Sequence, residues 1–232
     1  MRREGACAAE PRCLAFSSAG TLRNFTNSTR GVIGTDLFVK HAQPQPETDL
    51  PWPLPTNFSR GSVTLCLGRS FRFEAAGAAA EKALSLALKR ADARTAGQRS
   101  GDCVDASAEL RVLTVSIAQV EEDLQFGVDE TYNLTVPRSG GEAKLVAATQ
   151  FGALHGLETF TQLVSLDPRG DGSTSELRYS PWDIRDAPRF PWRGIMLDTA
   201  RHYFPVSDIE RMIDAMTFSK LNCFHWVSGP DL

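Results

Sequence analysis

Arg193-Gly194-Ile195-Met196-Leu197, running directly into Asp198-Thr199-Ala200-Arg201-His202-Tyr203, is the stretch on which the fold turns. Its first part is apolar without alternation, as expected of a strand buried on both faces. A polar cluster sits at that strand's C-terminal end. Ser207-Asp208-Ile209-Glu210 has the spacing of a capping box, with Ser207 as N-cap and Glu210 at N3. Ile209, Met212, Ile213 and Met216 then make one apolar stripe of a helix. Leu221 to Trp226 is a second apolar strand. Strand, helix and strand in this order form a β-α-β unit with parallel strands and a right-handed crossover. Function in such folds collects at the C-terminal ends of strands, where Asp198 to Tyr203 lies.

Upstream the patterns differ. Thr149 to Val164 reads as a helix that buries Phe151, Leu154, Leu157, Phe160 and Val164 at steps of three and four. Gly152 and Gly156 lie one turn apart on it, a cost to the helix unless a neighbouring backbone packs closely there. Tyr132 to Val136, the turn Ser139-Gly140-Gly141 and Ala143 to Ala147 read as a hairpin. Leu110 to Ile117 alternates with a phase shift, as a bulged strand does. Ala78 to Ala91 reads as a helix with Ala80, Leu84, Ala87, Leu88 and Ala91 on one face. Ser62 to Phe73 suits one or two strands, and Arg94 to Ser107 a surface loop. The expected architecture is an α+β domain over residues 49–180, its sheet covered on one side by two helices, followed by the β-α-β unit over 181–232. Residues 1–48 carry no sustained periodicity and read as a leader or linker.

Composition narrows the partners. The 232 residues carry a net charge of −3, without the basic footprint that a phosphate backbone demands. No apolar run approaches the ~18 residues that span a bilayer. There is no phosphate-binding glycine loop, no nucleophile elbow and no Cys-X-X-Cys. Four of the five asparagines (Asn24, Asn27, Asn57 and Asn133) stand in Asn-X-Ser/Thr sequons, which favours a eukaryotic secretory route and glycosylation. Met1 to Gly20, however, has no apolar core of a signal peptide. A missing or wrongly assigned N-terminus reconciles the two signals; a cytosolic protein with chance sequons is the other reading. The five cysteines leave one over from full pairing. Cys66 and Cys103 either form a disulfide, worth about 4 kcal/mol in the chain-entropy model, or remain thiols. Cys7 and Cys13 fall in the leader, and Cys223 packs within an apolar strand.

Ala148-Thr149-Gln150-Phe151-Gly152-Ala153-Leu154-His155-Gly156-Leu157-Glu158-Thr159-Phe160 resembles the helix that closes the non-catalytic domain of family 20 glycoside hydrolases, the β-N-acetylhexosaminidases. The resemblance continues through Pro188 to Gly194, Leu197 to Tyr203, Asp214 to Met216 and Lys220 to Trp226. Trp52-Pro53-Leu54-Pro55 is similar to the start of that domain. The likeness covers about Leu50 to Trp226. It implies a small α/β domain followed by a (β/α)8 barrel, and release of terminal N-acetylglucosamine or N-acetylgalactosamine from glycans or glycoconjugates. It also implies a substrate-assisted retaining mechanism in which the sugar's 2-acetamido oxygen attacks the anomeric carbon. Lysosomal, vacuolar or extracellular placement and homo- or hetero-dimers of hexosaminidase subunits belong to the same picture, with no metal or cofactor expected.

By this resemblance Arg201 is the sugar-binding arginine, its guanidinium fork suited to paired ring hydroxyls. The alternative for Arg201 is a surface residue or an ion pair with Asp198. Asp198 is expected to orient Arg201 or its loop. His202 and Tyr203 stand equally as packing behind the sugar contact or as ligand contacts themselves. His225 and Trp226 are candidates for packing behind it, and His155 for a structural histidine at the domain interface. The family's Asp-Glu catalytic pair lies well downstream of the His225-Trp226 strand and is not found there. Val227 and Pro230 also depart from the family's His and Asp. The chain is therefore expected to be a truncated, inactive form whose residues beyond about Pro191 are exposed, mobile or borrowed by another chain. A non-catalytic partner of a full-length subunit is the alternative.

Overall fold

Alternating apolar residues need a covered face, and the sheet they build positions everything downstream. The computed structural model describes residues 50–96, 99, 101–119, 124–166 and 174–229. The 1–48 leader, with Asn24, Asn27, Cys7 and Cys13, lies outside the described residues. Strands β1 (Asn57–Leu67) and β2 (Arg72–Ala75) lead into helix α1 (Ala78–Ala96). They are followed by β3 (Leu110–Gln119), β4 (Tyr132–Val136), β5 (Gly141–Thr149), helix α2 (Gln150–Leu163), β6 (Val164–Leu166) and β7 (Ser175–Asp186). The sheet order is β1-β7-β4-β5-β3-β2, with β6 on β7. The β1–β7, β7–β4 and β4–β5 pairings are antiparallel; β5–β3 and β3–β2 are parallel.

Helices α1 and α2 pack on each other and on one face of this sheet. Leu134, Leu145, Leu177, Trp182 and Ile184 are buried in its core. Asn133, Thr135, Lys144, Asp183 and Arg185, between them in sequence, face outward. Phe160 of α2 stacks on Phe71 at 5.7 Å and meets Phe73 edge-on at 5.8 Å, pinning β2 beneath the helix. Such ring contacts add about 0.5–1.5 kcal/mol each beyond burial. Thr149 caps α2, its Oγ1 accepting from the N–H groups of Phe151 (3.1 Å) and Gly152 (3.4 Å). A Cβ on Gly152 would stand 2.3 Å from the Thr131 carbonyl oxygen, and one on Gly156 2.3 Å from Leu145 Cδ1. The two glycines let the helix sit down on the β4–β5 hairpin. That close seat turns the buried arc toward Ala153, Leu157, Phe160 and Leu163, so Leu154, expected inside, is 36% exposed and Phe151 only half-buried. Cys66 and Cys103 are disulfide-bonded, with Cα atoms 5.9 Å apart.

Strand β7 runs through residue 180, so the boundary expected there falls inside the sheet. Beyond it, β8 (Gly194–Asp198) and β9 (Cys223–Val227) pair in parallel around helix α3 (Val206–Phe218). Burial of β8 on both faces is not observed: Leu197 is buried, but Met196 is 65% exposed. Ser207 is not the N-cap either. Helix α3 starts two residues earlier than that cap would give, behind Pro205, whose carbonyl accepts from Asp208 and Ile209 while no side chain caps the end. Proline's fixed φ suits that entry. Of the expected stripe, Ile209 and Met216 are buried and Ile213 is exposed.

Candidate functional site

The C-terminal ends of β8 and β9 form a small exposed platform. Asp198 Oδ1 accepts from the backbone N–H of Ala200 (2.9 Å) and of Arg201 (3.2 Å), folding the chain into a tight turn as β8 ends. Asp198 therefore fixes the backbone of Arg201 and makes no ion pair with its guanidinium. Thr199 ties the turn to β9: its N–H reaches the Val227 carbonyl at 3.0 Å, and its Oγ1 accepts from Trp226 Nε1 at 2.9 Å. Trp226 meets Phe224 at 6.1 Å and remains half exposed. Arg201, His202, Tyr203 and His225 are exposed, and among the described residues the Arg201 guanidinium has no hydrogen-bond or ion-pair partner. This arrangement offers an exposed planar donor fork on the same strand-end platform as a half-exposed indole. It can hold a polyol, and it presents no acid-base pair.

A second, buried polar group joins β8–α3–β9 to the sheet domain. Arg193, just before β8, grips Glu130 with Nη1–Oε2 at 2.9 Å and Nη2–Oε1 at 2.6 Å. His155 Nε2 lies 2.7 Å from Glu130 Oε1. Burial alone would raise the Glu130 carboxyl, yet hydrogen bonds from His155 and Arg193 hold it down at about 2. Alongside, Lys220 Nζ donates to Tyr132 Oη (2.8 Å) and Asp186 Oδ2 (3.1 Å). Burial opposes the Asp186 charge, but the Lys220 ammonium keeps its pKa below the usual carboxylate range. Burial in turn lowers Lys220 against the pull of Asp186, and raises the Tyr132 phenol with Asp186 adding in the same sense.

Local geometry explains how a lysine reaches this place. Lys220 has φ 54, in the left-handed region. Its N–H bonds Thr217 O (3.1 Å) and that of Leu221 bonds Met216 O (2.9 Å), the Schellman ending of a helix. Arg193 Nε then donates to the Lys220 carbonyl at 2.8 Å. Asn222 completes a clasp, accepting from Arg193 N–H at 3.0 Å and donating to Pro191 O at 2.9 Å. On the other side, Arg94 of α1 pairs with Glu158 of α2 and lies 4.3 Å over the Phe218 ring of α3.

The structure thus brings Asp198, Arg201 and Trp226 to one strand-end platform, while His155 is the interface histidine the sequence suggested. Glu130, Arg193, Asp186 and Lys220 were not foreseen as a unit. Their partners lie 34 and 63 residues apart, and only His155 and the Arg193 segment gave any signal. Clefts of about 170 and 210 Å³ flank this seam, one between α1, α2 and α3 and one beside Leu54, Arg189 and Phe190; Arg201 lines neither. Among the described residues no helix is long and apolar enough to cross a membrane, and no three His, Cys, Asp or Glu side chains cluster as a metal site.

Comparison with known proteins adds an independent line. A family model for "beta-acetyl hexosaminidase like" domains matches residues 51–163, and one for the "Glycosyl hydrolase family 20, catalytic domain" matches residues 190–228. The chain is 36% identical over 186 residues to Beta-hexosaminidase 3 of Arabidopsis thaliana, covering 75% of this chain and 34% of that protein. It is 44% identical over 124 residues to Beta-hexosaminidase subunit beta of Mus musculus, covering 52% and 22%. Flavobacterium johnsoniae chitobiase superposes with a TM-score of 0.59 at 30% identity, over 79% of this chain and 28% of that one. The chain spans about a third of the length of the first curated relatives it matches.

Proposed function

Because the chain belongs to glycoside hydrolase family 20, the β-N-acetylhexosaminidases, we propose that the whole protein releases terminal N-acetylglucosamine or N-acetylgalactosamine from glycans, with Arg201 holding the sugar. In this reading β8–α3–β9 is the first β-α-β unit of a (β/α)8 catalytic barrel, and the sheet domain is its non-catalytic companion. The observation that carries it is Arg201 itself, its backbone fixed by Asp198 and its guanidinium, among the described residues, left without a partner at a strand end. A charged fork of this kind recognises neighbouring hydroxyls with directional bonds.

The 2-acetamido group of the substrate serves as nucleophile in such chemistry, but the leaving oxygen still needs an acid. The one Asp-Glu dipeptide in these residues is Asp129-Glu130. Glu130 is locked by His155 and Arg193 at about 2, the opposite of the raised pKa a general acid requires. On its own the 232-residue chain is expected to be inactive. A chromogenic N-acetylglucosaminide assay tests this, and turnover above buffer would contradict it. In a longer, active form, Arg201→Lys should lower kcat/KM by ~10–100-fold, the loss of a charge-assisted hydrogen bond of about 1.5–3 kcal/mol. Its thermal stability should change by less than about 0.5 kcal/mol, because the side chain is exposed. An unchanged kcat/KM removes Arg201 from the site.

The second reading, a non-catalytic partner of a full-length hexosaminidase subunit, draws support from the exposed apolar side chains Met196, Ile213, Phe218 and Trp226 on β8–α3–β9. Co-purification with such a subunit would favour it. Passage through the secretory route to a lysosomal, vacuolar or extracellular destination is part of the proposal, supported by the Cys66–Cys103 disulfide.

A further inference from the structure

Two sequons far apart in sequence meet in register. On β1, Asn57 and Ser59 pair with Arg185 and Asp183 of β7. On the other side of β7, Asn133 and Thr135 of β4 pair with the same Arg185 and Asp183. Both flanking strands run antiparallel to β7, so the sequons point the same way along the sheet. Their middle residues take the opposite face: Leu134 is fully buried, and Phe58, still 36% exposed, pairs with buried Ile184 and lies 6.1 Å from the Trp182 ring. Asn57, Ser59, Asn133 and Thr135 are all exposed, on the face that α1 and α2 leave uncovered. Two strand spacings separate the asparagines, roughly 9.5 Å.

Strand alternation gives Asn133 even odds of facing the helices, where a glycan could not fit; Asn57 takes its face from its pairing with the outward Arg185. Both face out. Between them stands only Arg185, whose side chain is 73% exposed and leans 3.7 Å from Asp183 along its own strand. Beside Asn133 in the next strand is Val146, an apolar residue 49% exposed on the same open face.

We infer that Asn57 and Asn133 carry N-linked glycans on the same molecule, side by side, and that these supply the cover that the helix-free face of the sheet otherwise lacks. This rests on the secretory-route reading and is independent of the hydrolase reading. In the transfer, each amide nitrogen forms a bond to the anomeric carbon of an oligosaccharide carried on a lipid pyrophosphate. The carbon–oxygen bond to the pyrophosphate breaks, the nitrogen gives up one proton, and the lipid pyrophosphate leaves with the bonding pair. No oxidant or reductant is involved.

The test is to pass the full chain through the secretory pathway of a eukaryotic cell, map Cys66–Cys103, and identify occupied asparagines by their conversion to aspartate with a peptide N-glycosidase. Both Asn57 and Asn133 should convert. Asn57→Gln and Asn133→Gln should each remove one mobility step, and Ser59→Ala and Thr135→Ala should reproduce those losses with the asparagines still present. Occupancy is read on peptides, so a variant that folds poorly still reports. Acylation of Lys144, the neighbour of Thr135 on β5, should speed several-fold when glycans are removed from the folded protein, while Lys82 and Lys89 on α1 stay constant. Molecules that carry the disulfide but leave either asparagine bare would overturn the inference and spare the compartment reading. Absence of both disulfide and glycans would overturn both. An unchanged Lys144 rate would remove the covering role.

Discussion

Replacing Glu130 with glutamine should loosen the seam by an amount the structure sets. The Glu130 side chain is only 7% exposed, and Arg193, its bidentate partner, 14%. Gln keeps the shape but leaves the Arg193 guanidinium buried without its counter-charge. Breaking such a pair costs about 3–5 kcal/mol. The carboxyl itself gives a second figure: lowering from an ordinary 4.5 to about 2 corresponds to about 3 kcal/mol of preference for the charged form in the folded state. The two agree. The sign follows from the depressed folded value. This stabilisation is present in full above pH 4.5 and is lost as pH falls toward 2. Urea or thermal unfolding of both proteins across pH 3–6 is the assay, and the gap between them is the quantity that matters, since other carboxylates titrate in both. The gap should be about 3 kcal/mol at pH 6, or ~6–12 °C in Tm for a unit of this length, and about 1.5 kcal/mol at pH 3. A gap below about 1 kcal/mol at pH 6, or one that does not change with pH, would refute the reasoning.

Gly152→Ala should destabilise by about 1–3 kcal/mol, because its Cβ would strike the backbone oxygen of Thr131. Gly156→Ala should cost less, since its nearest obstacle is the end of the Leu145 side chain, and helix propensity returns about 1 kcal/mol; equal losses in thermal melts would contradict the close seat of α2. Lys220→Gly relieves a left-handed backbone worth about 1–2 kcal/mol but strips Asp186 of its buried cation, at about 3–5 kcal/mol. Net destabilisation is expected by urea unfolding, and a gain would show that the pair contributes nothing. Reducing Cys66–Cys103, whose partners are 37 residues apart, should lower stability by about 4 kcal/mol, read as a drop in Tm with and without reductant.

Short-range patterns were legible in the sequence. The β4–β5 hairpin and the parallel β8–β9 pair appear where alternation placed them. The irregularity expected in β3 after Val112 falls between Leu110 and Val112, and α1 runs on to Ala96, into the stretch from Arg94 that was expected to be loop. Strand β7 was not legible, although it lies between β1 and β4 in the sheet. Its burial phase shifts at Tyr179–Ser180, and Pro181 inside it argues against a strand on local grounds. Leu154 misled because spacing alone cannot say how closely a glycine face will seat. At the site, the polar cluster Asp198 to Tyr203 could be read from its position at a strand end, while the role given to Arg201 came from the family resemblance alone. The Glu130–Arg193 and Asp186–Lys220 pairs could not, because only tertiary folding brings such distant charges together.

The clasp of Arg193 and Asn222 holds the roots of β8 and β9 while their tips carry Arg201 and Trp226 about 15 Å away. Mechanically this is a cantilever: stiff where it is mounted, compliant where it works. Small tilts at the mount are magnified at the free end, so a substitution such as Glu130→Gln would register as lost aim of the Arg201 guanidinium well before it registered as unfolding.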